Sequence, residues 1–195
     1  NGDLIIDNGR YENTDVVYHA FIYRDFSVNV EGLRNLLLSR TGYVRIEDTY
    51  HPDEFRMGVY TGNFQADVVD WLEAGEFDLT FNCKPQRFLK YGEREFDVTE
   101  SKKLLNPTFY DALPIITVEG EGHISISSGS WTLEFKGLSG SITYDAETLC
   151  AYNGNVNLNA KTSVTGDVIL SAGENIFSVS GTVTSIRIIP RWWEI

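Results

Sequence analysis

This 195-residue chain has little of what marks a metal centre, a disulfide scaffold or a membrane span. It holds two cysteines, Cys83 and Cys150, far apart in sequence. Small secreted domains are stapled more densely. The expectation is therefore two reduced, mostly buried thiols made in a cytoplasm, with one long-range bridge as the alternative. The three histidines, His19, His51 and His123, stand at no metal-ligand spacing from one another or from a cysteine. Positive charge is scarce: 16 Lys and Arg against 28 Asp and Glu give a net charge of −12. Such a surface repels phosphates and anionic membranes. Solubility is its plain use, and a wall that DNA passes without sticking is the sharper one. No apolar run approaches the roughly 20 residues a spanning helix needs, and the opening "NGDLIIDNGR" shows no signal-peptide pattern.

Catalytic patterns are absent too. There is no C-x-x-C, no G-x-S-x-G, no phosphate-binding P-loop and no calcium loop. Two acid pairs at i, i+2 remain, Glu119 with Glu121 and Asp145 with Glu147. On a strand such a pair shares a face and could flank a sugar or a cation, but turn-edge carboxylates are expected to be solvated. The "EGEGH" run lacks the following helix that a phosphate loop requires. No catalytic, cofactor-binding or metal residue is assigned, and no enzyme is expected.

What the chain does have is β-forming residues. Aromatics are 13% of it, mostly Tyr and Phe, which favours sheets over helical bundles. "VVYHAFIYRDFSV" (16–28) reads as a strand. Leu33, Leu36, Leu37 and Arg40 then fall at helical spacing, predicting a short helix within 31–41 ended at Gly42. "YVRIED" and "FRMGVYTG" read as strands around a His51–Pro52–Asp53 turn. In "GEFDLTFNCKPQRFL", Phe77, Leu79, Phe81 and Cys83 share one face, and Pro85 is expected to stop the strand. The pattern weakens near 97–106, where a tight domain boundary is placed. Beyond it, seven or eight short strands with even turn signals predict an antiparallel sandwich without helix, and Asn153–Gly154 marks a hairpin. Exposed aromatics on a sandwich would suit sugar stacking. Trp131, Tyr144, Tyr152 and Trp192 are the candidates, although "SWTLEF" puts Trp131 on a core-facing alternation.

The runs "GEFDLTFNCKPQRFLKYGE", "NPTFYDALPIITVEGEGHISI" and "LSAGENIFSVSG" and the closing "IIPRWW", with "DTYHPDEFR" and the opening "GDLIIDNGRYEN", resemble the distal tail (Dit) proteins of long, non-contractile phage tails. This resemblance covers nearly the whole chain, in order. It implies a mostly β fold: an N-terminal, split-barrel-like, ring-forming domain with one helix over 1–100, and a galectin-like β-sandwich over 101–195. It implies a homohexameric ring joining the tail tube protein to tail-tip, lysin or receptor-binding proteins. DNA would pass through unbound, no membrane or cofactor would be involved, and the location would be the virion tail tip after assembly in the host cytoplasm. Relatives begin with a few dozen residues more, so opening strands of the ring-forming domain are expected to be missing here. A carbohydrate-binding adhesion module is the alternative, favoured if at least two of the four aromatic rings share one open groove. In "IRIIPRWWEI", alternation predicts a core strand ended by Pro190, with one tryptophan capping the sandwich end and the other covering the seam beside it.

Overall fold

A computed structural model describes residues 10–62, 66–70 and 74–195; most of the opening "GDLIIDNGRYEN" lies outside them. The chain forms two compact units that divide between Arg87 and Phe88, with Ile195 counted in the first. The sequence pattern weakens later, near 97–106. The division falls earlier because the segment after Leu89 already belongs to the second unit. Phe96 and Asp97 pair with Ile188 and Arg187, Val98 donates its N–H to Ile186 O, and the Val98 side chain is buried.

The first unit is a sheet of β1 (Thr14–Tyr23), β2 (Val44–Ile46), β3 (Glu54–Tyr60), β4 (Ala66–Asp70) and β5 (Ala74–Leu89), with helix α1 (Phe26–Leu38). Its order is β1-β5-β3-β2, and β4 also pairs with β5. The helix begins and ends earlier than its leucines imply. Arg24 and Asp25 both take left-handed backbone, with φ of 69° and 45°, which breaks β1. Asp25 O then accepts the N–H groups of Val28 and Asn29. Phe26 is the helix's buried anchor: its ring lies where a Cβ on Gly75 would stand, 2.3 Å from Cε2. The β5 face is as expected at its ends, with Phe77 and Cys83 buried and Leu79 and Phe81 half-buried. Cys83 is a free thiol packed over Gly58, and burial pushes its pKa up. Pro85 does not stop β5. The ladder to β1 ends at the Thr14–Cys83 pair, so beyond it the strand owes β1 no N–H.

The second unit is an antiparallel β-sandwich. Its elements are β6 (Phe96–Asp97), β7 (Lys103–Asn106), β8 (Ile115–Ser128), β9 (Trp131–Asp145), β10 (Cys150–Asn153), β11 (Val156–Asn157), β12 (Thr162–Thr165), β13 (Gly173–Ile176) and β14 (Ser178–Ile189). One sheet runs β11-β10-β9-β8-β14-β6 with β12 on β9, and β13 pairs with β7. The predicted short strands are fused: "PIITVEG" with "GHISISSG" makes β8, and "SWTLEFKG" with "SGSITYDA" makes β9.

A bulge makes the long strands possible. On β9 the buried positions are odd-numbered at Trp131, Leu133 and Phe135, then even-numbered at Leu138, Ile142 and Tyr144. The β8–β9 register steps from Ile124↔Phe135 to Gly122↔Leu138, so β9 carries the extra residue, with Gly137 at φ 60°. One inserted residue keeps both halves of an alternating pattern aimed at one core. The hairpin near Asn153 turns on Gly154 and Asn155, one residue later than its dipeptide implies. The "EGEGH" run is the middle of β8. There a Cβ on Gly120 would lie 2.2 Å from Thr182 O, so close strand approach explains that glycine.

Candidate assembly surfaces

Antiparallel register sets which β1 and β5 side chains share a face. Val17 pairs with Thr80, His19 with Asp78 and Phe21 with Glu76. The opposite parity, Val16, Tyr18, Ala20 and Ile22, is half-buried against the unit's own interior, where Tyr18 meets Phe81 edge-on. The outer parity carries Val17, Phe21 and Tyr23 at 46, 55 and 64% exposure. Glu76 and Asp78 are exposed beside them, and His19 Nδ1 lies 2.6 Å from Asp78 Oδ1. At the strip's far end Asn82 Nδ2 donates to Asp15 Oδ1 at 2.8 Å. A strand apolar on both parities is usually covered on both faces; among the described residues one face is covered.

Helix α1 repeats the situation. Phe26, Val30, Leu33 and Leu37 form its inward stripe. Val28, Leu36 and Leu38 stand 72, 55 and 58% exposed, so Leu36, read from spacing as a packing leucine, lies largely outside the core. Arg34 on the helix and Arg40, two residues past its end, are exposed.

In the second unit, the 106–112 loop is built to hold one ring out. Asn106 and Thr108 are both buried. Asn106 Nδ2 donates to Tyr110 O and Leu170 O at 2.9 and 3.0 Å, while its Oδ1 accepts from Thr108 N at 2.9 Å. Tyr110 stacks on Trp193 at 4.5 Å between centroids, and Trp193 Nε1 donates to Asp111 O. At the apex Phe109 is 92% exposed. No local pattern in the sequence marks Phe109 as facing water.

The chemistry-bearing residues singled out from sequence are dispersed. Glu119 and Glu121 are exposed, and Ser185 Oγ donates to Glu119 at 3.4 Å. Asp145 is not solvated, contrary to expectation. It is 8% exposed and holds Arg191 bidentately, Nη1 to Oδ1 at 2.7 Å and Nη2 to Oδ2 at 2.9 Å. Burial pushes its carboxyl up, but the hydrogen bonds from Arg191 and Glu147 N outweigh that and hold it below the usual range. Cys150 is half-buried rather than enclosed, and like Cys83 it is free. Among the described residues no group of three His, Cys, Asp or Glu could hold a metal, and no helix is long and apolar enough to cross a membrane. Trp131, Tyr144 and Trp192 are 2, 3 and 0% exposed, so these rings form no open stacking groove. Tyr144 lines a shallow cleft of about 360 Å³ with Leu149, Asn159 and Asp167, and Trp131 a separate one of about 270 Å³ with Ile169 and Asn175.

The described residues form a mostly β protein of two units with one α-helix. Its fold is Dit-like: the chain is similar to the crystal structure of SPP1 Dit (gp 19.1), described as a hub of the adsorption apparatus in phages infecting Gram-positive bacteria. The TM-score is 0.69 at 12% identity, covering 94% of this chain and 79% of that one. No protein-family model matches the sequence, and no curated protein matches it significantly.

Proposed function

We propose that this protein is a structural hub of a long, non-contractile phage tail tip, a homohexameric ring that joins the tail tube to the adsorption apparatus. The observation that carries this reading is the likeness in fold to SPP1 Dit along 94% of the chain. The first unit is the ring former of split-barrel-like type. The second is the galectin-like sandwich, turned outwards to tail-tip, lysin or receptor-binding proteins. A net charge of −12 repeated around a ring favours an acidic lumen, along which DNA slides instead of binding. Trp131, Tyr144 and Trp192 are buried and Tyr152 half-buried, which favours the hub over the adhesion alternative.

Native mass spectrometry of the full-length protein tests the ring. The expected result is a closed oligomer of six copies with an acidic pore in electron micrographs. A protein that stays monomeric at high concentration and low salt, or a ring with a basic pore, overturns the reading.

The rigid loop around Phe109 is the outward unit's anchor for a protein partner. Preorganised exposed aromatics are typical binding hot spots. Phe109→Ala is expected to leave stability within about 0.5 kcal/mol, since the ring touches almost nothing, and to weaken capture of a tail-tip partner roughly tenfold or more. Titration of the variant against co-expressed tail-tip proteins reads this directly, and unchanged affinity would remove Phe109 from the interface.

A further inference from the structure

We infer that the cleft beside Tyr144, on the open side of the sandwich, receives the guanidinium of an arginine presented by a protein partner. Asp167 is its counter-ion, and Leu149 and Val164 lie along its stem. The inference concerns the second unit alone. It takes from the hub reading only that this unit meets other proteins, and it does not need the ring.

Strand pairing makes the cleft. β8 occupies one edge of β9 from 131 to 145, so β10 and β12 share the other edge, at 143–145 and 132–135. Thr162 pairs with the buried Phe135 and Val164 with the buried Leu133, so both take the core-facing parity. Yet Thr162 is only half-buried and Val164 is 39% exposed, so among the described residues the interior stays open over them. Tyr144, inward on the far side of the bulge, Leu149 and Asp167 complete a cleft of about 360 Å³. Leu149 holds left-handed backbone, φ 55°, and stands 71% exposed at its rim.

The polar groups there are mostly unused acceptors. Tyr144 is 3% exposed, and its hydroxyl has no hydrogen-bond partner among the described residues. An enclosed hydroxyl left unpaired is costly. Burial, then Asp145, Cys150 and Asp167, push its pKa up, so it stays a neutral phenol. Thr162 Oγ1 donates to Leu158 O and offers the cleft lone pairs only. The exposed Asp167 carboxylate has neither hydrogen bond nor ion pair among the described residues. Asn159 spends its Oδ1 on Ala151 N and keeps its amide hydrogens at the exposed rim. Neighbouring cations are engaged elsewhere: Arg191 with Asp145 and Glu147, and Lys161 Nζ with Gly137 O at 3.4 Å.

This inventory selects the occupant. An anion would face Asp167 with no cation lining the cleft. A sugar would find no ring face to stack on, because Tyr144 is enclosed. A guanidinium brings five donors and no acceptor, and its fork matches a carboxylate bidentately. Its alkyl stem packs on apolar walls while the head stays polar. A lysine ammonium, a strongly hydrated point charge with three donors, fits the spread of acceptors less well. The chain's net charge of −12 favours approach of a basic partner segment.

The test titrates the full chain, with its Leu and Val methyls labelled, with the blocked tripeptide Gly-Arg-Gly and follows the methyl NMR signals. Saturable shifts are expected at Leu149 and Val164, with a Kd of about 1–10 mM, the scale of one anchored side chain. The same tripeptide with citrulline, neutral and nearly isosteric, is expected to move neither signal. Asp167→Asn is expected to weaken binding roughly tenfold, and Tyr144→Phe about threefold. Asp167 is exposed and phenylalanine keeps the Tyr144 ring, so both variants should fold, which unchanged spectra away from the cleft verify. The inference is wrong if the arginine peptide gives no saturable shift, if citrulline binds as well, or if Asp167→Asn binds as tightly. It is also wrong if N-acetylglucosamine saturates these signals and the peptide does not, which would make the cleft a sugar site. A monomeric full-length protein would end the ring reading and leave this one standing.

Discussion

Trp192→Ala is expected to destabilise the second unit by roughly 3–5 kcal/mol, the range for deleting an enclosed aromatic ring. Trp192 is fully buried and belongs to the main core cluster of that unit. Its surroundings cannot collapse easily into the space it would leave. Leu89 N donates to Trp192 O at 2.9 Å, and Arg191 N to Gly92 O at 2.8 Å, so the backbone on both sides is pinned. Gly92 lies so close that a Cβ there would stand 2.4 Å from Trp192 N. The indole Nε1 has no hydrogen-bond partner among the described residues, so the ring contributes through packing alone. Trp192→Phe, which removes the orphaned N–H and keeps much of the ring, is therefore expected to cost far less than alanine. Chemical denaturation of both variants checks the pair. If alanine and phenylalanine leave the transition equally unmoved, the terminal tryptophan is not a plug.

The second large effect belongs to the Asp145–Arg191 pair. Arg191 adopts left-handed backbone, φ 58°, directly after the buried Pro190, and its guanidinium reaches back to Asp145 at the end of β9. Side-chain exposures are 24% for Arg191 and 11% for Asp145. Arg191→Gln leaves a largely buried carboxylate without its cation. The expected loss is about 2 kcal/mol at neutral pH, below the full cost of breaking a wholly buried pair because part of the guanidinium meets water. The pH dependence follows in sign. The folded Asp145 carboxyl titrates below its unfolded value. Its contribution is thus fully present above the unfolded pKa of about 3.9, and is lost as pH falls through the lower folded value. The stability gap between the two proteins should hold from pH 7 to about 4 and narrow below that, as urea titrations at a series of pH values would record. A gap that widens on acidification would contradict the assignment.

The same residues mark where sequence reading reaches and where it ends. Alternation identified the β class, the Phe77–Cys83 face, the burial of Trp131 and the terminal strand up to Pro190, because a period of two depends only on neighbours along the chain. Periodicity could not see that Lys136–Gly137 bulges and so fuses two predicted strands into β9, since a bulge is defined by its partner strand. It could not see that Asp145 is buried, because the cation that makes burial tolerable stands 46 positions away and arrives only when the chain end folds back. The early division between the units was hidden for the same reason: Phe96 and Asp97 belong with strand residues near the C-terminus. Alternation also tells which residues share a face, but not whether that face meets the chain's own core. Val16 and Val17 are equally apolar, and only the tertiary structure decided that the first turns inwards while the second, with Phe21 and Tyr23, is exposed.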